Sequence, residues 1–377
     1  MEGERPDPPD VPSAAHLMLT RYISDLQDAD TPANPIQPKW HTGRLPNSKQ
    51  GDGKPRLLLM GQRRSGKSSI SSVVFHKMPP SETLYLETTT RITKDQMHSF
   101  MDFQVWDFPG HLDYFDPAFD VDNIFGEIGA LVWVIDAQDE YLDAINRLNT
   151  TILNLQQHYP SINVEVFVHK VDGLSEDYKS DTFRDIIQRV QDELSDNGYE
   201  NAPVSFYQTS IYDHSIFEAF SKVIQKLIPQ LPTLESLLNS LCSTCRIEKA
   251  YLFDVLSKIY IATDTSPTDI GSYEICSDYI DVIVDISEIY GWDRSNPDAQ
   301  KTGDSSAQDV SGDSGNDDAE SLITMEKKGS NYLYLREINK YLALICIMSE
   351  DSPTEKKALV DYNVSIFQEA LQKVFQR

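Results

Sequence analysis

The chain of 377 residues is poor in cysteine, poor in positive charge and without a long apolar run. Its four cysteines, Cys242, Cys245, Cys276 and Cys346, are too few for a disulfide framework at this length. Cys242 and Cys245 form a lone Cys-x-x-Cys with no second half-site, which argues against a four-cysteine zinc site. They read instead as small buried hydrophobes in a reducing compartment. Lys and Arg number 33 against 59 Asp and Glu, a formal net charge of −26. That balance argues against coating nucleic acid or an anionic membrane through bulk electrostatics. No apolar stretch approaches the roughly 18 residues of a membrane span, so no direct membrane insertion is expected. The start, Met-Glu-Gly, carries neither a secretory nor a myristoylation pattern, and the end, Val-Phe-Gln-Arg, offers no prenylation Cys. Work at a membrane would need an anchor supplied by another molecule.

With 40% hydrophobic residues the chain can build sizeable cores. Its length exceeds the roughly 100–200 residues of one domain. Residues 1–50 hold eight of the 20 prolines and no sustained periodicity, so residues 1–54 read as a disordered arm. Residues 293–330 are rich in Asp, Ser, Gly and Asn, and read as a low-complexity acidic insert that is also disordered. Two ordered regions remain, 55–230 and 231–377.

In the first, strand patterns at Arg56–Met60, Phe103–Asp107, Leu131–Ala137, Glu165–His169 and Val204–Gln208 alternate with helical patterns. The helices fall at Lys67–His76, Leu142–Gln156, Thr182–Leu194 and Ser215–Leu227. Apolar strands separated by crossover helices make a doubly wound α/β fold. A sixth strand, about Gln96–Met101, pairs antiparallel with Phe103–Asp107, giving a six-stranded, mainly parallel sheet. Pro229 and Pro232 end this region. The second region reads as strands Ala250–Val255 and Lys258–Ala262, helix Ser272–Tyr290, the insert, strands Tyr332–Arg336 and Leu342–Met348, and a helix from Lys357 to Phe375. That is a small α+β domain on one antiparallel sheet.

Chemistry concentrates in the first region. Gly61-Gln62-Arg63-Arg64-Ser65-Gly66-Lys67-Ser68 matches G-x-x-x-x-G-K-[ST] between a strand and a helix. Such a loop offers backbone N–H groups and a helix N-terminus to phosphate. The candidate phosphate-binding residues are Arg63, Arg64, Ser65, Gly66, Lys67, Ser68 and Ser69. Gly66 permits the turn, Lys67 reaches the β- and γ-phosphates, and Ser68 coordinates Mg²⁺. Asp107-Phe108-Pro109-Gly110 ends the strand after the P-loop. Asp107 would hold Mg²⁺ through a water, and the Gly110 N–H would meet the γ-phosphate. His169-Lys170-Val171-Asp172 supplies the base reader. A carboxylate accepts two hydrogen bonds from the N1–H and exocyclic amine of guanine, a donor pair adenine lacks. The candidate base-binding residues are His169, Lys170, Asp172, Ser210 and Ile211, with Thr209-Ser210-Ile211 offering backbone N–H groups to the guanine oxygen.

These motifs resemble the Rag GTPases. The His-Lys-Val-Asp form of the base motif, Val74–Met78, Trp106–Gly110, Val134–Asp139, Thr209–Phe220 and Ile247–Val255 are similar to the C/D-type subunit. The resemblance covers about 55–292 and 330–376. It implies a Ras-like P-loop GTPase domain followed by an α+β roadblock/longin-like domain, with GTP or GDP and Mg²⁺ as cofactors. It implies a heterodimer with an A/B-type Rag GTPase through the C-terminal domain. It also implies TOR complex 1, a Ragulator/EGO-type scaffold and a folliculin-type GTPase activator as partners, at the lysosomal or vacuolar surface. The family's metal-binding switch threonine falls on Thr89. One departure stands out: after Gly110 the family places Gln, the residue that orients the attacking water, and here it is His111. Hydrolysis could therefore be slow and activator-dependent, or the chain could be a nucleotide-binding scaffold. An ATP-using P-loop enzyme is the third class left open.

Overall fold

The structure is a computed structural model. It describes residues 56–98, 102–110, 124–125, 128–289, 320–325, 331–339, 341–349 and 353–375. His111, the arm 1–54 and residues 293–319 lie outside the described residues. Among the described residues no helix is long and apolar enough to cross a membrane.

The first sheet has six strands: β1 (Arg56–Gly61), β2 (Thr93–His98), β3 (Asp102–Asp107), β4 (Ile128–Asp136), β5 (Asn163–His169) and β6 (Val204–Thr209), in the order β2-β3-β1-β4-β5-β6. All neighbours are parallel except the β2–β3 hairpin. The β2–β3 partner is antiparallel as expected, but β2 begins at Thr93 rather than near Gln96. Its alternation is too polar to fix the register from the sequence.

Strand alternation divides the core. Leu57 and Leu59 of β1 face one side with Val105, Val132 and Val134; Leu58 and Met60 face the other with Leu131, Trp133 and Ile135. The helices α1 (Lys67–His76) and α4 (Ser215–Gln225) cover the first side, through Ile70, Val74, Ile216 and Phe220. The helices α2 (Leu142–His158) and α3 (Glu176–Asp196) cover the second, through Ile145, Leu148, Ile186 and Val190. Leu57, Leu58 and Leu59 are fully buried, each stabilising by roughly 2 kcal/mol relative to exposure. The parallel arrangement sends the loops after β1, β3, β4, β5 and β6 to one edge, where ligands of open α/β sheets bind.

Helix α5 (Leu231–Cys245) opens the second unit and was absent from the sequence reading. Pro232 looks like a terminator, but it stands in the helix's first turn, where its missing N–H costs nothing. The second sheet contains β7 (Lys249–Asp254), β8 (Tyr260–Thr263), β9 (Glu320–Met325), β10 (Asn331–Glu337) and β11 (Leu342–Met348), in the antiparallel order β8-β7-β11-β10-β9. Strand β9 corrects the extent of the acidic insert: residues 320–325 pair with β10 across the register Asn331–Met325 to Arg336–Glu320. Helices α6 (Ile270–Ile289) and α7 (Pro353–Phe375) complete the unit. Tyr251, Phe253, Tyr260 and Tyr273 form a ring cluster with centroids 5.5 to 6.4 Å apart. All four cysteines are buried, and burial pushes the Cys242 and Cys276 thiols up to about 12, and Cys245 to about 11. Such thiols are inert at neutral pH.

The two units share α4. Phe220 and Val223 belong to the same buried cluster as Leu237, Tyr260 and Ile261. The Tyr260 N–H donates to Ser221 Oγ at 3.1 Å, and His214 Nε2 lies 3.2 Å from Asp278 Oδ1. The Lys258 ammonium sits 5.5 Å from the Phe217 ring centre.

Candidate functional site

The loops at the edge of the first sheet enclose an open cleft of about 450 Å³. Its candidate phosphate end is the turn between β1 and α1. Gly61 stands at φ +132°, and a Cβ there would lie 2.3 Å from the Val134 carbonyl oxygen. Gly66 stands at φ +104°, and a Cβ there would lie 2.6 Å from the His169 ring. Both positions demand glycine. Helix α1 begins with no side-chain cap and no acidic residue in its first turn. Its leading N–H groups and positive dipole end therefore face the cleft, a setting suited to an anion.

Lys67 folds its ammonium back onto the loop, donating to Gly61 O at 3.1 Å and Gln62 O at 2.7 Å. Burial lowers its pKa to about 8, opposed by the nearby Asp107 carboxylate. Ser65 is buried, with Oγ donating to Gln62 O at 2.9 Å, so its side chain shapes the loop. Arg63, Arg64, Ser68 and Ser69 line the cleft. The two arginines are exposed, and Arg64 adopts φ 66°.

Ser68, Thr89 and Asp107 come from three segments and meet. Ser68 Oγ is 2.6 Å from Thr89 Oγ1 and 2.5 Å from Asp107 Oδ2; Thr89 Oγ1 is 3.4 Å from the same carboxylate oxygen. Asp107 Oδ1 is buried and has no hydrogen-bond partner among the described residues. Leaving a carboxylate oxygen dry and unpaired is costly. Burial raises the Asp107 pKa, opposed chiefly by the Ser68 hydrogen bond. Two hydroxyls and a buried carboxylate with a spare oxygen fit a hard divalent cation that draws its remaining ligands from phosphate and water.

Gly110 abuts the P-loop: a Cβ there would lie 2.1 Å from the Arg63 nitrogen, so only glycine allows the approach. Its carbonyl accepts a hydrogen bond from Arg147 Nη1 at 3.0 Å. Phe108, fully buried, anchors the turn. Between α1 and β2 the chain passes through a short 3-10 turn, Pro80–Tyr85, that leaves Leu84 and Tyr85 largely exposed, with Leu84 on the cleft rim.

At the base end, Asp172 is held by Ser210, whose Oγ donates to Oδ1 at 2.7 Å. Ser210 also bonds within its own loop. Its N–H is engaged with Ser215 Oγ at 2.9 Å, and its hydroxyl also accepts the Tyr212 N–H at 3.1 Å. In this arrangement Ser210 orients the carboxylate. His169 lines the same cleft. Its ring is buried against Gly66, with Nδ1 3.0 Å from Thr209 Oγ1, so it joins the P-loop to β6. Burial holds its pKa at about 4, helped by the adjacent Lys170 ammonium. The ring is therefore neutral at physiological pH.

Lys170 adopts φ 64°, a left-handed conformation that costs a non-glycine residue about 1 kcal/mol. Its ammonium donates to Arg64 O at 2.8 Å and to Asp136 Oδ2 at 2.5 Å. Lys170, Asp172 and Ile211 line the cleft, as do Tyr212 and Gln138, which the sequence reading did not single out. Gln138 lies in the Val134–Asp139 stretch. Its position after a sheet strand, beside Asp136, was the signal available.

Comparison with known proteins agrees with this geometry. The family described as "Gtr1/RagA G protein conserved region" matches residues 56–280. "GTP-binding protein gtr2" of Schizosaccharomyces pombe is 59% identical over 323 residues, 85% of this chain and 98% of that protein. "Ras-related GTP-binding protein C" of Homo sapiens is 55% identical over 325 residues, 86% of this chain and 77% of that protein. "GTP-binding protein GTR2" of Saccharomyces cerevisiae is 45% identical over 326 residues, 86% of this chain and 94% of that protein.

Proposed function

Because this chain belongs to the Gtr1/RagA G protein family, as a Rag GTPase of the C/D type, we propose that it is the guanine-nucleotide switch subunit of a Rag heterodimer relaying amino-acid sufficiency to TOR complex 1. The supporting observation is one cleft that joins an uncapped helix N-terminus, a Ser–Thr–Asp oxygen cluster and a pre-oriented carboxylate. Triphosphate lies along the loop Gly61–Ser68, where its oxygens replace the loop carbonyls now holding Lys67. Ser68, Thr89 and, through water, Asp107 would hold Mg²⁺, which would supply charge to offset that of the phosphates. Thr89 and Gly110 sit on segments whose placement depends on the γ-phosphate end, so hydrolysis releases them. Guanine rests on the Lys170 stem and donates two hydrogen bonds to Asp172.

The second domain, an α+β roadblock-like unit, pairs with an A/B-type subunit. A Ragulator/EGO-type scaffold holds the pair at the lysosomal or vacuolar surface, and a folliculin-type activator accelerates hydrolysis. Co-expression with candidate A/B-type subunits tests this. The expected result is a stable one-to-one complex with guanine nucleotide on both chains; recovery of this chain without a partner and without nucleotide contradicts it.

His111 favours a second reading, a subunit that binds nucleotide and barely hydrolyses it. Single-turnover hydrolysis with and without the activator separates the two. A large activator-driven rate removes the scaffold reading. A gain in His111→Gln locates a hydrolytic defect at that position.

A further inference from the structure

The end of β4 and the turn after it are bonded to the base-reading loop at three successive residues. Asp136 Oδ2 accepts from the Lys170 ammonium at 2.5 Å. The Ala137 N–H donates to His169 O at 2.8 Å. Gln138 Nε2 donates to Lys170 O at 2.7 Å. Asp136 Oδ1 also accepts the Gln138 N–H at 2.9 Å, so the two residues brace one another. The Gln138 amide fills the space beside Gly173, where a Cβ would come within 2.1 Å of Nε2. Lys170, at φ 64°, is gripped at its carbonyl by Gln138 and at its ammonium by Asp136 and Arg64 O. Gly173 directly follows Asp172. The end of β4 and the turn after it therefore hold both ends of the segment that carries the guanine-reading carboxylate.

We infer that Asp136 and Gln138 are positioning residues that set the angle at which Asp172 meets the base, and with it the preference for a purine bearing a 2-amino group. This rests on the guanine-nucleotide reading proposed for the cleft. The chemical reason is that a carboxylate collects two hydrogen bonds from guanine only when both oxygens lie in the plane of the base edge. A loop that tilts loses one bond before the other. Lys170 and Asp172 touch the base; Asp136 and Gln138 act through them. Neither residue contacts Ser68, Thr89 or Asp107 in the bonds described; the link from Asp136 to the phosphate loop runs through the Lys170 ammonium and Arg64 O.

Comparing GDP with inosine diphosphate tests this, since the inosine base lacks the 2-amino group. The full-length chain is used, with Mg²⁺, as wild type, Gln138→Met and Asp136→Asn, and each dissociation constant is measured alongside the melting temperature. Gln138→Met keeps the side chain's bulk beside Gly173 and removes its donor. Asp136→Asn keeps the Oδ1 acceptor and removes the charge facing Lys170. The expected result is a wild-type preference for GDP that narrows about fivefold in Gln138→Met, through weaker GDP binding at unchanged melting temperature. Asp136→Asn is expected to narrow the preference in the same direction, so the inference stays testable if one variant fails to fold. Equal weakening of GDP and inosine diphosphate, or no change in either, overturns the inference and leaves the guanine-nucleotide reading standing. A wild-type chain that binds neither nucleotide overturns that reading itself.

Discussion

The proposed base end and the proposed phosphate end of the cleft differ in what holds them. At the base end the functional side chains are bonded within the chain: Asp172 to Ser210, Lys170 to Asp136 and Arg64 O, and His169 to Thr209. At the phosphate end the arrangement awaits charge. Among the described residues helix α1 has no side-chain cap and the buried Asp107 Oδ1 has no partner, and the Lys67 ammonium rests on carbonyls of its own loop. The contrast amounts to a division of labour. A pre-organised base reader gives specificity that does not change with the state of the nucleotide. A phosphate end held by replaceable contacts responds to the number of phosphates and to the metal.

Lys67 puts this division under the strongest strain. Lys67→Ala removes a cation that several phosphate oxygens share, and is expected to weaken GDP and GTP by roughly a thousandfold. Equilibrium titration with a fluorescent nucleotide measures it. A smaller loss is expected of Asp172→Asn, which should weaken GTP by roughly a hundredfold, because one carboxylate acceptor becomes a donor facing donors on the base. Unchanged GTP affinity would show that Asp172 does not read the base. Ser68→Asn is expected to weaken Mg²⁺-GTP about tenfold more than GDP, because only the triphosphate calls on the full metal shell. Equal losses would contradict the metal role of Ser68.

The smallest effect is read through pH, at the histidine that joins the two ends. The His169 pKa is held at about 4, below the ordinary 6.5. The unfolded chain takes up a proton below about pH 6.5, while the folded chain stays neutral down to about pH 4. The contribution to stability is full above pH 6.5 and is lost as pH falls toward 4. Wild type is expected to lose about 1 kcal/mol more than His169→Asn between pH 7 and pH 5.5, read from urea melts at both pH values. Parallel losses in the two proteins would show that His169 does not set this pH dependence.

Much of this was legible in the residues. The spacing of Gly61–Ser68, and its place between an apolar strand and a helical pattern, marked the turn between β1 and α1 as the candidate phosphate loop. Helix α1 runs over the residues expected for it, Lys67–His76. Buried parallel strands announce themselves as continuous apolar runs, so β1, β4 and β5 were readable. What stayed hidden depends on partners distant in sequence. Pro232 is a stop signal or a first-turn residue according to the residues after it, and the Leu234–Leu238–Leu241 stripe of α5 gains meaning only against the second sheet. Strand β9 is a six-residue run beside acidic low-complexity sequence, and its identity comes from pairing with β10. Gln138 looks like an ordinary polar loop residue, and Ser210 is marked by its motif without its side-chain partners being readable. Their roles appear only when three loops from separate strands converge.

Whether this cleft holds a guanine nucleotide can be read from the protein itself. The full-length chain is purified with its A/B-type partner after Mg²⁺ loading, denatured, and the released nucleotide identified by chromatography. Close to one GTP or GDP per chain, with no adenine nucleotide, is expected. Release of ATP or ADP, or of no nucleotide at all, would contradict the guanine-nucleotide reading.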